Sequence, residues 1–288
     1  VDAKPPVVVG VDGSPTAMDA ARWAAAYAVR HGASLCCVYG YHLPMYGFSP
    51  IGTLGEMENF DARARRQAED MLGTAAGRLR EAYAGLEIDT RMETGGGTAV
   101  LVDASKSAIA TVVGARGGGG FTHLLLGSVA DQVTVHGLGP VIVVRGPAPD
   151  RGPVLVGVDA SEHAARALRY AAAEAALRGT DLVVLHAYTE TLHPRSGDPA
   201  AEGKAEAERL LDTMTADLHE LHPRLRVQTR PVYTGRVDQA MIEASAEAVL
   251  TVVGCRGLGG LRSILLGSTS RALVHHAASP VAVVHRQG

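Results

Sequence analysis

Two stretches of this 288-residue chain have the residue types and spacing of an anion cradle. Each reads Gly-x-x-Gly, nine residues, then Gly-Ser. The first uses Gly114, Gly117, Gly127 and Ser128; the second uses Gly254, Gly257, Gly267 and Ser268. With 34 glycines in the chain, a glycine triple at one fixed spacing arises by chance about 0.5 times, so one match means little. Two matches, each directly after an apolar run and at equivalent places of a repeat, are a strong signal. Glycines let backbone N–H groups approach an anion without a Cβ in the way. Gly-Ser then opens a helix whose first amides are unpaired and carry partial positive charge, which suits a phosphate. Ser128 and Ser268 can add a hydroxyl donor, and Arg116 and Arg256, expected at the loop tip, a full charge. Asp12 and Asp159 close the first strand of each repeat, where a carboxylate suits ribose hydroxyls or a base amino group across the same crevice. A plainer alternative stands beside this one. The glycines would only shape turns, Ser128 would pair with Asp131 in a capping box, and the aspartates would serve local turns. Arg271 stands where the first repeat has Asp131, and would favour phosphate in the second repeat if it faces the site.

Several other chemistries lack their residues. There is no G-x-x-x-x-G-K-[ST] phosphate loop, no G-x-G-x-x-G after the first strand, and no G-x-S-x-G nucleophile elbow. Neither loop carries a repeated His or Glu that could act as general base, so no catalytic residue is assigned. Three cysteines without a C-x-x-C give no disulfide framework and no zinc site, and no metal ligand is assigned. Cys36 and Cys37 are expected buried and inert in the second strand. Cys255, inside the second glycine loop, is expected exposed near helix-terminal amides that lower a thiol pKa, which makes it a candidate redox sensor. His186 aligns with Tyr39 and is therefore not a shared catalytic group, and His275-His276 falls late in the last helix.

The elements that position these residues come as a repeat. Val8-Val9-Gly10-Val11-Asp12-Gly13-Ser14 returns as Leu155-Val156-Gly157-Val158-Asp159-Ala160-Ser161, and Gly139-Pro140-Val141-Ile142-Val143-Val144 returns as Ser279-Pro280-Val281-Ala282-Val283-Val284. The offset is 147 residues at Asp12 and Asp159 but 140 at Gly114 and Gly254, so the first copy carries seven extra residues, assigned to Tyr41–Phe60. The Pro/Gly stretch from Gly146 to Pro153 reads as an extended linker, giving domains 1–146 and 153–288. Strands are expected at 7–12, 35–40, 87–93, 109–114 and 140–144, then at 154–159, 182–187, 226–233, 249–254 and 280–285. Helical stripes run through Ala68, Met71, Leu72, Ala75 and Leu79, and through Leu210, Leu211, Met214, Leu218 and Leu221. Ser14 and Ser161 are placed as N-caps of the helix after the first strand. Alternating strand and helix imply an α/β fold with a doubly wound parallel sheet in each copy. The closing strands, Pro140–Val144 and Pro280–Val284, are expected at sheet edges, which need a partner. The two domains are therefore expected to meet through them as a pseudo-dimer, and a homodimer of chains is left open.

Bulk properties narrow the partners. Hydrophobic residues are 47%, charged residues 20% and aromatics 4%, so globular cores must be built from Ala, Val, Leu and Ile. A net charge of −3 without a basic block argues against nucleic acid, and no apolar run is long enough to suggest a membrane span. No secretory pattern opens the sequence, and the cysteine usage fits a reduced, cytoplasmic setting.

The residues quoted above resemble the universal stress protein family. The likeness rests on Val-Asp-Gly-Ser after the first strand, Val-Val-Gly-x-x-Gly after the fourth, Gly-Ser nine residues on, and the closing Pro-Val-x-Val-Val. It covers both halves, as in the tandem form of that family. The resemblance implies five parallel strands per domain in the order 3-2-1-4-5, an adenine nucleotide alpha hydrolase-like fold. It also implies one ATP per domain, with Mg2+ as a candidate companion. By the same resemblance Asp12 meets ribose or adenine, Val11 and the backbone at Gly40 line the base pocket, and Val113, Gly114, Gly117, Gly127, Ser128 and Val129 hold ribose and phosphates. The second set is Val158, Asp159, Ala187, Val253, Gly254, Gly257, Gly267, Ser268 and Thr269. Ala115 and Cys255 depart from the Ser or Thr common in the family, and Ala160 replaces Gly13. The implied role is a nucleotide-dependent regulator of the stress response with an unidentified protein partner. A slow ATPase of the same fold and an interaction scaffold are the alternatives.

Overall fold

The computed structural model describes residues 4–41, 54–118, 125–146, 149, 151–190, 198–258 and 266–286. By contact the chain divides into two compact units, Val1–Gly139 and Pro140–Gly288. The surplus assigned to Tyr41–Phe60 falls mainly on residues 42–53, outside the described residues, as do the middles of both glycine loops and part of the linker.

In the first unit β1 (Val7–Gly10), α1 (Pro15–His31), β2 (Leu35–Tyr41), α2 (Leu54–Ala82), β3 (Ile88–Thr94), α3 (Gly97–Ser105), β4 (Ala110–Gly114) and α4 (Ser128–His136) follow one another. The strands are parallel in the order β3-β2-β1-β4. Both faces are covered, so β1 and β4 are buried nearly throughout. Six alanines of α1 (Ala17, Ala20, Ala21, Ala24, Ala25 and Ala28) are buried, and the helix packs on β1 and β4, where small side chains let helix and strand approach closely. Ser14 caps α1 by accepting from the Ala17 amide at 3.1 Å, Pro15 follows in the first turn, and Gly32 ends the helix in the left-handed region.

The second unit contains β5 (Pro140–Val144), β6 (Val154–Gly157), α5 (Glu162–Arg178), β7 (Leu182–Tyr188), α6 (Pro199–Thr215), α7 (Leu218–Leu221), β8 (Val227–Tyr233), α8 (Val237–Ala244), β9 (Leu250–Gly254), α9 (Ser268–His276) and β10 (Val281–Val284). Its parallel order is β8-β7-β6-β9-β10, the expected 3-2-1-4-5. On the far side of β10 lies β5, antiparallel, with Val141 opposite Val283 and Ile142 opposite Ala282. Ser161 caps α5 as Ser14 caps α1.

Three expectations about these elements are corrected. β1 and β6 end at Gly10 and Gly157, two residues before the aspartates, although the Val11 and Val158 amides still bond across to Val38 and Leu185. The chain turns there because each aspartate accepts from the serine amide two residues on. Leu221 does not continue the second stripe. Helix α6 ends at Thr215 and the periodicity breaks, leaving Leu221 58% exposed. Finally, Gly127 and Gly267, not the serines, take the N-cap places of α4 and α9. Ser128 is therefore the first helical residue, and its capping box with Asp131 does not form.

Candidate functional site

At the carboxyl end of β1 and β4 lies a cavity of about 460 Å³. Val11, Asp12 and Gly40 line one side of it, and Val113, Gly114, Arg116 and Gly117 another. Gly127, Ser128 and Val129, opening α4, complete the set expected from sequence. The second unit has a cavity of about 380 Å³ at the equivalent place. Val158, Asp159, Ala187, Val253 and Gly254 line it together with Arg256, Gly257, Gly267, Ser268 and Thr269. The residues assigned to nucleotide binding in a repeat thus line one cavity of that repeat.

The local geometry explains the residue types. Each glycine loop is closed at its neck by a 2.8 Å backbone bond, Gly127 N–H to Ala115 O and Gly267 N–H to Cys255 O. None of the described loop glycines adopts a positive φ, so close approach rather than backbone freedom accounts for them. A Cβ on Gly114 would stand 2.8 Å from Thr16 O, and one on Gly254 2.7 Å from the His163 carbonyl carbon. A Cβ on Gly117 would meet Asp12 Oδ2 at 2.5 Å, and one on Gly257 Asp159 Oδ2 at 2.6 Å. Those carboxylates span the gap between strand and loop. Asp12 accepts from the Ser14 amide at 3.0 Å and from the Gly118 amide at 2.7 Å; Asp159 accepts from Ser161 at 3.0 Å and Leu258 at 2.9 Å. The aspartates therefore hold the turn, as the plainer alternative has it, and line the cavity as well.

Gly13 takes φ +80 while no described non-glycine residue has a positive φ, so Ala160 takes the equivalent turn by another conformation. Arg116 and Arg256 stand at the start of their loops, directly beyond β4 and β9, and not at a tip. Arg116 is exposed, whereas Arg256 is half-buried with an Nε that meets no hydrogen-bond acceptor among the described residues. Arg271 and Asp131 are not cavity residues, so that substitution does not differentiate the sites through the lining.

Cys255 departs from expectation. It is buried, its Sγ lies 3.2 Å from His163 Nδ1, and burial raises its pKa although Arg256 and Arg166 work the other way. Burial also holds the His163 pKa down, aided by the charges of Arg166 and Arg256. Cys255 is therefore neither exposed nor lowered in pKa, the two conditions on which the redox expectation rested. In the second strand burial pushes Cys37 up to about 12, and Cys36, only half-buried, is raised for the same reason.

Sequence reasoning missed a third wall. Gly97 and Leu101 of α3, and Val237 and Met241 of α8, line their cavities from the helix that follows the third strand in the chain. Leu101 and Met241 sit against Gly10 and Gly157, where an added Cβ would stand 2.8 Å from Leu101 Cδ1 or Met241 Cε. The run Gly95-Gly96-Gly97 leading into α3 was the available signal in the first repeat. Also missed were Tyr39 and His186, at equivalent places of β2 and β7, which line the first and second cavities.

Comparison with known proteins agrees with the repeat. The model of the universal stress protein family matches residues 5–145 and again 151–285. A universal stress protein of Mycolicibacterium smegmatis is 35% identical over 96% of this chain and 96% of its own. One from Mycobacterium tuberculosis is 32% identical over 96% of this chain and 95% of its own. Among solved structures, a universal stress protein from Archaeoglobus fulgidus matches with a TM-score of 0.69 at 21% identity, covering 99% of this chain and 97% of that one.

Proposed function

The chain belongs to the universal stress protein family, and we propose that it is an ATP-binding regulator with one nucleotide site in each repeat. One observation carries this reading: in each unit an aspartate, a glycine loop after the fourth strand and the N-terminus of a helix converge on one cavity. Amides at the start of α4 and α9, which meet no side-chain cap among the described residues, suit phosphate oxygens, and so do the hydroxyls of Ser128 and Ser268. Arg256, whose Nε meets no described acceptor, adds charge on the second cavity. Asp12 and Asp159 already accept two amide bonds each, and a carboxylate oxygen has a further lone pair for a ribose hydroxyl. Mg2+ would come with the triphosphate, since no group of three or more His, Cys, Asp or Glu suited to a metal occurs among the described residues.

Binding rather than turnover follows from what faces the phosphates. Glycine amides, a serine and an arginine can hold charge, but none takes a proton from an attacking water. Bound ATP then acts through stability and conformation, and a partner protein in the cytoplasm reads the loaded state. Ligand that binds only the folded chain stabilises it, by about 2.7 kcal/mol at a concentration 100 times Kd. Millimolar ATP should therefore raise the melting temperature by several degrees. Mass spectrometry of ligand released from the purified protein should find ATP rather than AMP. An unchanged melting curve with no co-purified nucleotide would refute the reading, and many product equivalents per chain in a turnover assay would transfer it to an ATPase.

A further inference from the structure

Resting on that nucleotide reading, we infer that His186 makes the second site selective for a 6-amino purine, a selection that the first site lacks. His186 lines the second cavity from β7, and its Nδ1 lies 2.8 Å from the carbonyl oxygen of Val158. A carbonyl oxygen can only accept, so Nδ1 carries the hydrogen and donates it. In the neutral ring Nε2 is then a pure acceptor. No described residue engages Nε2, which leaves it as the one polar ring atom available to a ligand.

The topology sets which part of a nucleotide meets it. The order β7-β6-β9 puts β7 two strands from the glycine loop that follows β9. At about 4.8 Å per strand this is roughly 10 Å, within the reach of a nucleoside triphosphate. Phosphates on Gly254, Gly257 and the start of α9 would leave the ribose over β6, beside Asp159, and the base at His186. The adenine base of ATP carries a single N–H donor group, the 6-amino group. An acceptor held in one tautomer must pair with that group or remain unpaired. In the first repeat the equivalent residue is Tyr39, whose hydroxyl can rotate to donate or to accept, so it imposes no such choice.

The test uses full-length chains, with ATP and purine riboside triphosphate, which lacks only the 6-amino group, as titrants. Ser128→Glu places a carboxylate against the phosphates of the first site, leaving the second to be read alone; Ser268→Glu does the reverse. With the second site open, ATP should bind about tenfold tighter than the analogue, the size of one well-made hydrogen bond. His186→Asn keeps an amide donor for Val158 O but leaves no acceptor at the ε position, since its own carbonyl oxygen sits on a shorter side chain, and should bring the two ligands within about twofold by weakening ATP alone. His186→Gln returns an acceptor to the ε position and should recover part of the preference. With only the first site open, the two ligands should bind within about twofold of each other. Unliganded melting temperatures identify folded variants, and His186→Gln carries the test if His186→Asn does not fold. A preference that persists in His186→Asn, is absent from the parent chain, or is equal at the first site overturns this inference alone. Failure of the unmodified chain to bind either ligand overturns the nucleotide reading with it.

Discussion

An aspartate whose two oxygens both accept backbone amides cannot be exchanged for its own amide without loss. In the Asp12→Asn variant one of the two positions would present an NH2 group to the Ser14 or the Gly118 N–H. Asp12→Asn should therefore lower the unfolding free energy by about 1 kcal/mol and Asp12→Ala by about twice that, measured in urea without nucleotide. The effect should be the same for Asp159, whose amide partners are Ser161 and Leu258. The thiols make a second prediction at this scale. Cys37, raised from 9.0 to about 12 by burial, holds its proton in the folded chain after the unfolded chain has released it. Its contribution to stability is complete below pH 9 and is lost as pH climbs toward 12, so stability should fall across that window. Cys37→Ala should flatten the fall, read as urea midpoints between pH 8 and about 11. The placing of Asp12, Ser128 and the loop glycines at one site was legible in their types and spacing. The environment of Cys255 was not. His163 comes 92 positions earlier in the chain, and the desolvation of the thiol arises only when α5 covers β9.

At the scale of elements, glycines that end strands differ in what an added methyl would meet. On Gly254 it strikes the backbone of His163, which cannot rotate away; on Gly10 it strikes the tip of Leu101, which can. Gly254→Ala should cost about 3 kcal/mol and Gly10→Ala about 1 kcal/mol, compared by chemical denaturation. Within α5, Glu174 is 1% exposed and lies 3.3 Å from Arg178, where α1 has the stacked pair Tyr27 and His31. Glu174→Gln leaves the Arg178 charge without this buried carboxylate and should cost about 3 kcal/mol, whereas Tyr27 and His31 make no such demand. Strand positions followed from hydrophobic pattern to within a residue or two. The errors have local causes: the aspartate turn that shortens β1 and β6, and the break after Thr215 that takes Leu221 out of its stripe. The wall supplied by α3 and α8 escaped because its contribution is packing against Gly10 and Gly157, which no short motif records.

At the scale of the whole molecule, the chain is a repeat that has kept its cradle and changed its lining. Both copies retain the aspartate, the three loop glycines and the serine, while Tyr39, Leu101 and Val129 become His186, Met241 and Thr269. The repeat itself was the most legible feature, since matched strand ends recur at almost constant offset. That a repeat holds its own ligand is the central claim, and it predicts how many molecules bind. Ser128→Glu and Ser268→Glu are suited to the test because a carboxylate in the first turn agrees with the helix dipole yet opposes a phosphate at the same place. Calorimetric titration with ATP should give two sites in the parent chain, one in each single variant, and none in the double variant. A stoichiometry that stays unchanged in the double variant, or a parent chain that releases no heat and gains no thermal stability with ATP, would contradict the account.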